Sequence, residues 1–328
     1  MLRRLIVILP LFWCAAAFGV EVTDSTGRTV QVPAEIAHVL PAGPPAAILL
    51  EAIAPDLMVG WPGPLSAEAK TLLPDSANHP RIPRLTGHED VTDEIKALKP
   101  DLILDYGEVT PRYFELAQAT QQKTGIPTLL FAGPLDKIPL IVRQVGGILH
   151  REARAETLAN YFEAMLALPV LPLPTSPGAH PRVLYARGAD GLTVTAPDTD
   201  VTEVFKHVGW QVLAPAGQGT FRTSSIAAIA ALDPDIVIFS DPAMRETLKH
   251  SDWQAVRAVR EGHALVAPAL PFGWVEEPPS INRLLGLAWL SGHEPATLAA
   301  TFNAVVYGRP LTADQLDAVL GGVHSLQQ

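Results

Sequence analysis

The sequence predicts an α/β protein built from two similar lobes with a ligand cleft between them. Three observations carry this reading. The first is an internal echo: Ala97-Leu98-Lys99-Pro100-Asp101-Leu102-Ile103-Leu104-Asp105 returns as Ala231-Leu232-Asp233-Pro234-Asp235-Ile236-Val237-Ile238-Phe239. Each copy ends a helix at Ala-Leu and stops it with a proline, which lacks an N–H and restricts the residue before it. The second is the strand that follows in each copy, apolar on both faces and so in need of cover on both sides, as in the parallel sheets of α/β domains. The third is the connection. A helical run over 138–168, with Leu158, Phe162, Met165 and Leu166 at helical spacing, leads into Pro169, Pro172, Pro174, Pro177 and Pro181. Helix followed by a proline-rich strap makes a stiff joint rather than a flexible linker.

Taken in order, the chain opens with the basic Met1-Leu2-Arg3-Arg4, an apolar run over 5–13 and the small residues Ala15-Ala16-Ala17-Phe18-Gly19. This is the three-part pattern of a secretory signal (1–19), cut after Ala17 or Gly19 and too short to span a bilayer. Cys14 is the one cysteine of the chain, and the bulky Leu11-Phe12-Trp13 before it argues against a lipid anchor there. Cut after Gly19, the exported chain holds no thiol, which suits an oxidising compartment and rules out a disulfide framework or a Cys-rich metal site. The first lobe, 20–133, is expected to carry strands over 36–40, 57–61, 102–104 and 128–131, with helices over 45–53 and 112–124. The connecting helix and strap occupy 134–180, with Gly146-Gly147 placed to bend or divide the helix. The second lobe, 181–328, should hold strands over 183–186, 211–213, 236–239 and 264–267. Pro278-Pro279 cannot sit inside a helix, so Ser280 is read as the cap of a helix over 282–290.

Composition narrows function. The 328 residues suit about two domains, and 48% apolar residues allow each a core. A formal charge of −10 without a basic stripe argues against nucleic-acid binding. The phosphate-binding G-x-x-x-x-G-K-[ST], the nucleophile elbow G-x-S-x-G, the zinc motif H-E-x-x-H and C-x-x-C are all absent from the sequence. His88-Glu89-Asp90 is the one cluster with ligand-like chemistry, and adjacent residues seldom all face one ion, so no metal is assigned. In open α/β sheets ligands bind beyond the carboxyl ends of the strands. If both lobes turn those ends to a shared cleft, the first contributes Trp61, His88 and Tyr106, and the second Arg187, Thr220, Arg222, Ser240, Phe272 and Trp274. The aromatics would pack a solute, Arg187 and Arg222 would meet its anionic groups, and Thr220 and Ser240 offer hydroxyl donors. Glu276 and Glu277 either meet a cationic part of the solute or face solvent.

At this point several stretches resemble one family. Val22-Thr23-Asp24-Ser25-Thr26-Gly27-Arg28-Thr29-Val30-Gln31-Val32-Pro33 is similar to the opening of the periplasmic binding proteins that serve ferric-siderophore, haem and vitamin B12 importers. Glu94-Ile95-Lys96-Ala97-Leu98-Lys99-Pro100-Asp101-Leu102-Ile103, Trp253-Gln254-Ala255-Val256-Arg257-Ala258-Val259, Gly262-His263-Ala264-Leu265-Val266 and Tyr307-Gly308-Arg309 follow in that family's order. The resemblance implies two Rossmann-like lobes joined by one long rigid helix, with a shallow cleft and little hinge movement. It also implies an acidic residue on each lobe that docks on the permease. On the first lobe that place falls on Asp93 or Glu94. On the second, Ala227 stands where the family has glutamate, which leaves a serine or a neighbouring acid such as Glu203 as substitute.

The resemblance therefore implies a periplasmic, monomeric binding protein without an intrinsic cofactor and without covalent chemistry. It would deliver a metal chelate (ferric siderophore, haem or corrinoid) to the ABC permease–ATPase complex of the inner membrane. The stretch 271–286 is equally like family members that take oxyanions, so molybdate or tungstate is the alternative cargo. From other classes, a hydrolase would need a nucleophile–base pair, such as Ser240 with a histidine, and a ligand sensor would dock on a signalling receptor.

Overall fold

The computed structural model describes residues 19–73, 76–86, 90–171, 180–249, 252–321 and 323. The signal up to Phe18 with Cys14, the site candidate His88, and Pro172, Pro174 and Pro177 of the strap lie outside the described residues.

A hairpin of β1 (Val20–Thr23) and β2 (Thr29–Val32) leads into the first lobe. That lobe runs β3 (Val39–Pro41), α1 (Pro44–Ile53), α2 (Ala67–Leu72), α3 (Thr92–Leu98), β4 (Leu102–Gly107), α4 (Pro111–Thr124) and β5 (Thr128–Ala132). The connection follows as α5 (Ile138–Ile148) and α6 (Glu152–Leu166). The second lobe begins with β6 (Arg182–Arg187), β7 (Thr193–Thr195), α7 (Glu203–His207), β8 (Gln211–Leu213), β9 (Phe221–Thr223) and α8 (Ile226–Leu232). It continues with β10 (Ile236–Phe239), α9 (Met244–Thr247), α10 (Arg257–Arg260), β11 (Ala264–Val266), α11 (Arg283–Leu290), α12 (Pro295–Val306) and α13 (Ala313–Leu320). Among the described residues, no helix is long and apolar enough to cross a membrane.

The echo in the sequence is an echo in space. In the first lobe β3, β4 and β5 pair in parallel, and Met58 adds a parallel bridge on the far side of Val39. In the second, β8, β6, β10 and β11 lie side by side in parallel, with β7 and β9 added antiparallel beyond the carboxyl half of β6. Both lobes thus place their first strand between the second and third, which creates a crevice at the carboxyl ends where the strand order reverses. The helix–proline joints match in detail. Lys99 and Asp233 end α3 and α8 in the left-handed region, at φ 48° and 46°. After each proline an aspartate anchors the neighbouring strand: the Asp101 carboxylate accepts the N–H groups of Ala37 (2.9 Å) and His38 (2.8 Å), and the Asp235 carboxylate accepts that of Arg182 (2.9 Å).

Two expected elements differ. The strand over 57–61 shrinks to the Met58 bridge, because Pro55–Leu57 winds as a 3₁₀ turn and Trp61 turns away to pair its backbone with Pro80 and Ile82. The single connecting helix is a hairpin of two. The chain breaks at His150, which sits at φ 53°, and α6 folds back along α5. Gly146 is what lets them close: a Cβ there would overlap that of Ala155. Arg143 of α5 then bridges Glu156 (2.8 Å) and Glu163 (2.5 Å) of α6.

Rigidity between the lobes comes from packing more than from a linker. One apolar core runs from α1 and the inner face of the first sheet through α5 and α6 to α7, α11 and α12, while smaller clusters fill the outer face of each sheet. Arg154 of α6 adds a polar tie. Its guanidinium donates to Ala52 O near the end of α1 (2.9 Å) and to Val305 O (2.8 Å) and Val306 O (2.6 Å) at the end of α12, capping two helix carboxyl ends at once.

The Asp24-Ser25-Thr26-Gly27-Arg28 turn closes the first sheet. Ser25 N–H donates to Leu130 O (3.0 Å), Leu130 N–H donates to the buried Asp24 carboxylate (3.3 Å), and Arg28 donates to Thr128 O (2.9 Å), so the free edge of β5 is covered.

The matched joints make a prediction. Asp101→Ala and Asp235→Ala should each lower stability by about 1–2 kcal/mol, the worth of backbone hydrogen bonds to a carboxylate. Chemical unfolding of both variants checks it; a loss confined to one of them would show that the second joint does not do the same work.

Candidate functional site

The strand ends of the two lobes open into one cleft of about 970 Å³. Gly43, Pro44 and Pro45 after β3, Asp105–Glu108 at the end of β4 and Gly133 after β5 line it from the first lobe. Arg187 at the end of β6, Asp200, Thr220, Phe221 and the loop Glu276-Glu277-Pro278-Pro279 line it from the second. Arg84, Thr86, Thr110, Arg112, Tyr113, Val201 and Arg283 complete the wall. Both lobes therefore present the carboxyl edge of the strand-order reversal, as their shared topology requires.

Of the residues nominated from sequence, Tyr106, Arg187 and Thr220 stand on this wall. Trp61 and Trp274 do not. Trp61 is 5% exposed, donates its indole N–H to Ser76 O (3.2 Å) and packs 5.8 Å from the ring of Phe272. Phe272 is held between Trp61 and Tyr307 in the core. Trp274 is fully buried, its indole N–H on Leu270 O (3.3 Å). These rings are large apolar volume placed beneath the site, where they support its loops. Arg222 donates to Pro215 O (2.7 Å) in its own loop and is not on the wall. Ser240 acts at one remove: it is buried and its Oγ donates to Glu277 Oε1 (2.9 Å). Asp90, two positions after His88, pairs with Lys123 at 3.0 Å. Among the described residues, no group of three or more His, Cys, Asp or Glu side chains is placed to hold a metal ion.

The loop over 271–282 turns out differently from its sequence reading. Glu276 and Glu277 close on Arg187, whose Nε lies 2.6 Å from Glu276 Oε1 and 3.0 Å from Glu277 Oε1. Arg187 is therefore already neutralised, and its guanidinium lies 4.1 Å over the ring of Phe221, leaving that ring 45% exposed on the cleft. Glu277 adopts φ 73°, a costly conformation for a side chain with a Cβ, and its carboxylate is fixed by Arg187 and Ser240. Ser280 does not cap the next helix; its hydroxyl donates to Pro45 O in the opposite lobe (2.8 Å). Glu203, considered above as a docking acid, also points inward: it accepts the Leu135 N–H (3.0 Å) and pairs with Arg283 (3.0 Å). Arg283 is 2% exposed and donates besides to Asp200 O (2.9 Å), Gly133 O and Ser280 O.

Burial sets the charges of the wall. Asp105 is pushed up to about 6 by desolvation, with the Tyr106 N–H on its Oδ1 (2.9 Å) opposing that rise. Burial raises Glu276 to about 7; Arg187 opposes the shift and the Glu277 charge adds to it. Burial also holds the Tyr106 phenol up at about 12, against the pull of the Arg283 guanidinium, and the hydroxyl makes no hydrogen bond. Glu108 is raised by burial and then by the charge of Asp200 across the cleft.

Sequence reasoning passed over Asp105, Glu108, Asp200, Tyr113 and Arg283. Asp105 could have been found by the rule that nominated Arg187, since each directly ends an apolar strand. Arg283 is the single charge in an otherwise apolar helix, a pattern that signals a buried ion pair. The nominated docking acids Asp93 and Glu94 lie exposed in the first turn of α3, and Ala227 is exposed at the equivalent place in α8.

A raised carboxyl pKa means that the folded chain holds its proton more tightly than the unfolded chain. The corresponding stability is present below the ordinary value of 4.5 and is lost as pH rises toward about 7. Thermal melts should therefore show the melting temperature falling between pH 5 and 7.5, and Glu276→Gln should flatten that fall. An unchanged slope in the variant would assign the dependence to other groups.

The family model described as periplasmic binding protein matches residues 64–270. No curated protein matches the chain. Among solved structures, an ABC transporter solute binding protein from Sulfurospirillum deleyianum superposes with a TM-score of 0.82 at 21% identity, covering 92% of this chain and 99% of its own. The molybdate periplasmic binding protein MolA of Haemophilus influenzae gives 0.69 at 15% identity, covering 89% and 99%. An ABC-type Fe3+-hydroxamate transport protein from Saccharomonospora viridis gives 0.58 at 16% identity, covering 82% and 97%. The matched segment begins ahead of α2 and ends after β11, taking in the wall from Arg84 to Phe221, and with the two-lobe fold it shows that this chain belongs to the periplasmic binding protein family.

Proposed function

We propose that the chain is the solute-binding component of an ABC importer and carries a metal chelate through the periplasm to its permease–ATPase complex. The observation that carries this is the cleft itself. Solute pockets usually enclose about 300–1,000 Å³; a cleft of about 970 Å³ is far larger than a tetrahedral oxyanion needs and is of the size of a chelated metal. Its wall alternates aromatic faces, Tyr106, Tyr113 and Phe221, with polar groups from both lobes, which suits a bulky organic shell around an ion. The strongest nucleophile candidate, Ser240, donates its hydroxyl to Glu277 and has no hydrogen bond to a histidine among the described residues, and the site is read as binding without covalent chemistry. Asp93 and Glu94, exposed at the start of α3, are read as the docking acids of the first lobe.

Native mass spectrometry with elemental analysis, on protein taken gently from the periplasm, tests this. The expected result is an organic adduct carrying a transition metal. Molybdenum or tungsten without an organic mass would replace the chelate with an oxyanion. Asp93→Arg with Glu94→Arg should leave solute affinity unchanged and weaken, by tenfold or more, the stimulation of the importer's ATPase.

A further inference from the structure

Two of the four arginines on the cleft wall, Arg187 and Arg283, are paired with carboxylates, while Arg84 and Arg112 have no ion-pair partner among the described residues. Arg187 is shared by two glutamates, and Arg283 is satisfied by Glu203 and three carbonyls. Arg84 gives its Nε to Pro62 O (2.7 Å), and Arg112 lies 5.9 Å over the ring of Tyr113; both stand exposed at the first-lobe rim.

Asp105, Glu108 and Asp200 line the same cleft, and none has an ion-pair partner among the described residues. Asp105 is nine-tenths buried and accepts only its neighbour's N–H on Oδ1, which leaves Oδ2 unpartnered. Glu108 comes from the first lobe and Asp200 from the second, and both carboxylates stand on the wall of the one cleft. On the same wall the Tyr106 hydroxyl is buried without a partner, and Tyr113 and Phe221 each carry a guanidinium over one face. Like charges brought together in a partly desolvated crevice oppose folding unless something positive joins them. A bare metal ion wants several donors converging on one centre. Carboxylates presented from opposite walls instead suit an ammonium, whose N–H groups diverge.

Resting on the solute-binding reading above, we propose that the cleft selects a solute bearing a protonated amine, received between Glu108 and Asp200 with Asp105 behind them. The site therefore favours a neutral or cationic chelate with an amine arm over an anionic one.

The probes are ferrioxamine B, a ferric trihydroxamate ending in a free primary amine, its N-acetyl derivative, which keeps the chelate and loses the charge, and molybdate. Titration of the full chain should show ferrioxamine B bound at least tenfold more tightly than the acetylated form. Glu108→Gln with Asp200→Asn should erase that preference and leave the acetylated chelate within twofold. A ligand-free readout accompanies it: relief of the carboxylate repulsion should raise the melting temperature of the empty double variant by about 2 °C or more. Equal affinity for the two chelates, a preference that survives the double variant, or a melting temperature that falls would each overturn amine selection and leave the solute-binding reading standing. Tight binding of molybdate with neither chelate bound would overturn both.

Discussion

Arg283 carries a positive charge to a place where it is only 2% exposed, and a charge so buried costs several kcal/mol unless its donors all find acceptors. They find them on both lobes. Gly133 O belongs to the loop after β5, Asp200 O and the Glu203 carboxylate belong to the second lobe, and Glu203 in turn accepts the Leu135 N–H of the first. Moving either lobe would strip acceptors from a buried guanidinium. Ser280 on Pro45 O and Arg154 across the ends of α1 and α12 impose the same geometry from other sides. The relative placement of the lobes, and so the shape of the cleft between them, follows from satisfying these few groups.

A cleft held this way is formed before a solute arrives. Little conformational entropy is then lost on binding, because the wall does not have to be ordered at that moment. The loop over 271–282 shows how the preorganisation is made. Gly273 and Gly286 pack so closely on the backbone of Glu276 and Trp274 that a side chain at either would collide with it, and Trp274 fills the space beneath. With the loop fixed, Glu276 and Glu277 have one place to go, which is Arg187, and Arg187 in turn presents Phe221 to the cleft. The aromatic face offered to a solute is thus the end of a chain of packing that starts at an indole the solute never meets.

This also explains what was legible in the sequence. The repeated helix–proline–strand joint was readable because its chemistry is local: a proline, an aspartate two residues from the helix end and an apolar strand. From it the two lobes, the parallel strands and the edge that faces the ligand could be placed. The division of the connecting helix was half visible in Gly146-Gly147, but the break three residues on depends on Ala155 packing into the gap, a contact made only in the fold. Trp61 and Trp274 were misplaced on the cleft because a tryptophan in a loop looks the same whether it faces a solute or anchors that loop. The partners of Arg187 lie some ninety positions away in the chain, and only the closed loop reveals that its charge is already spent.

The unpaired acids of the cleft and the arginines that bind both lobes are two parts of one design. Asp105 and Glu108 make the empty site less stable than a wall of apolar residues would, since each loses water without gaining a cation. A fold can hold such a wall only where the surrounding structure over-determines it. Here the surroundings are the shared apolar core and two guanidiniums that bind carbonyls of both lobes, Arg283 on the cleft wall itself and Arg154 at the carboxyl ends of α1 and α12. The end of β4 fixes Asp105 and Glu108, the turn that begins at Asp200 fixes the third acid, the two guanidiniums hold the lobes that carry them, and the desolvation left uncompensated is the part of the free energy that a cationic solute can recover on binding.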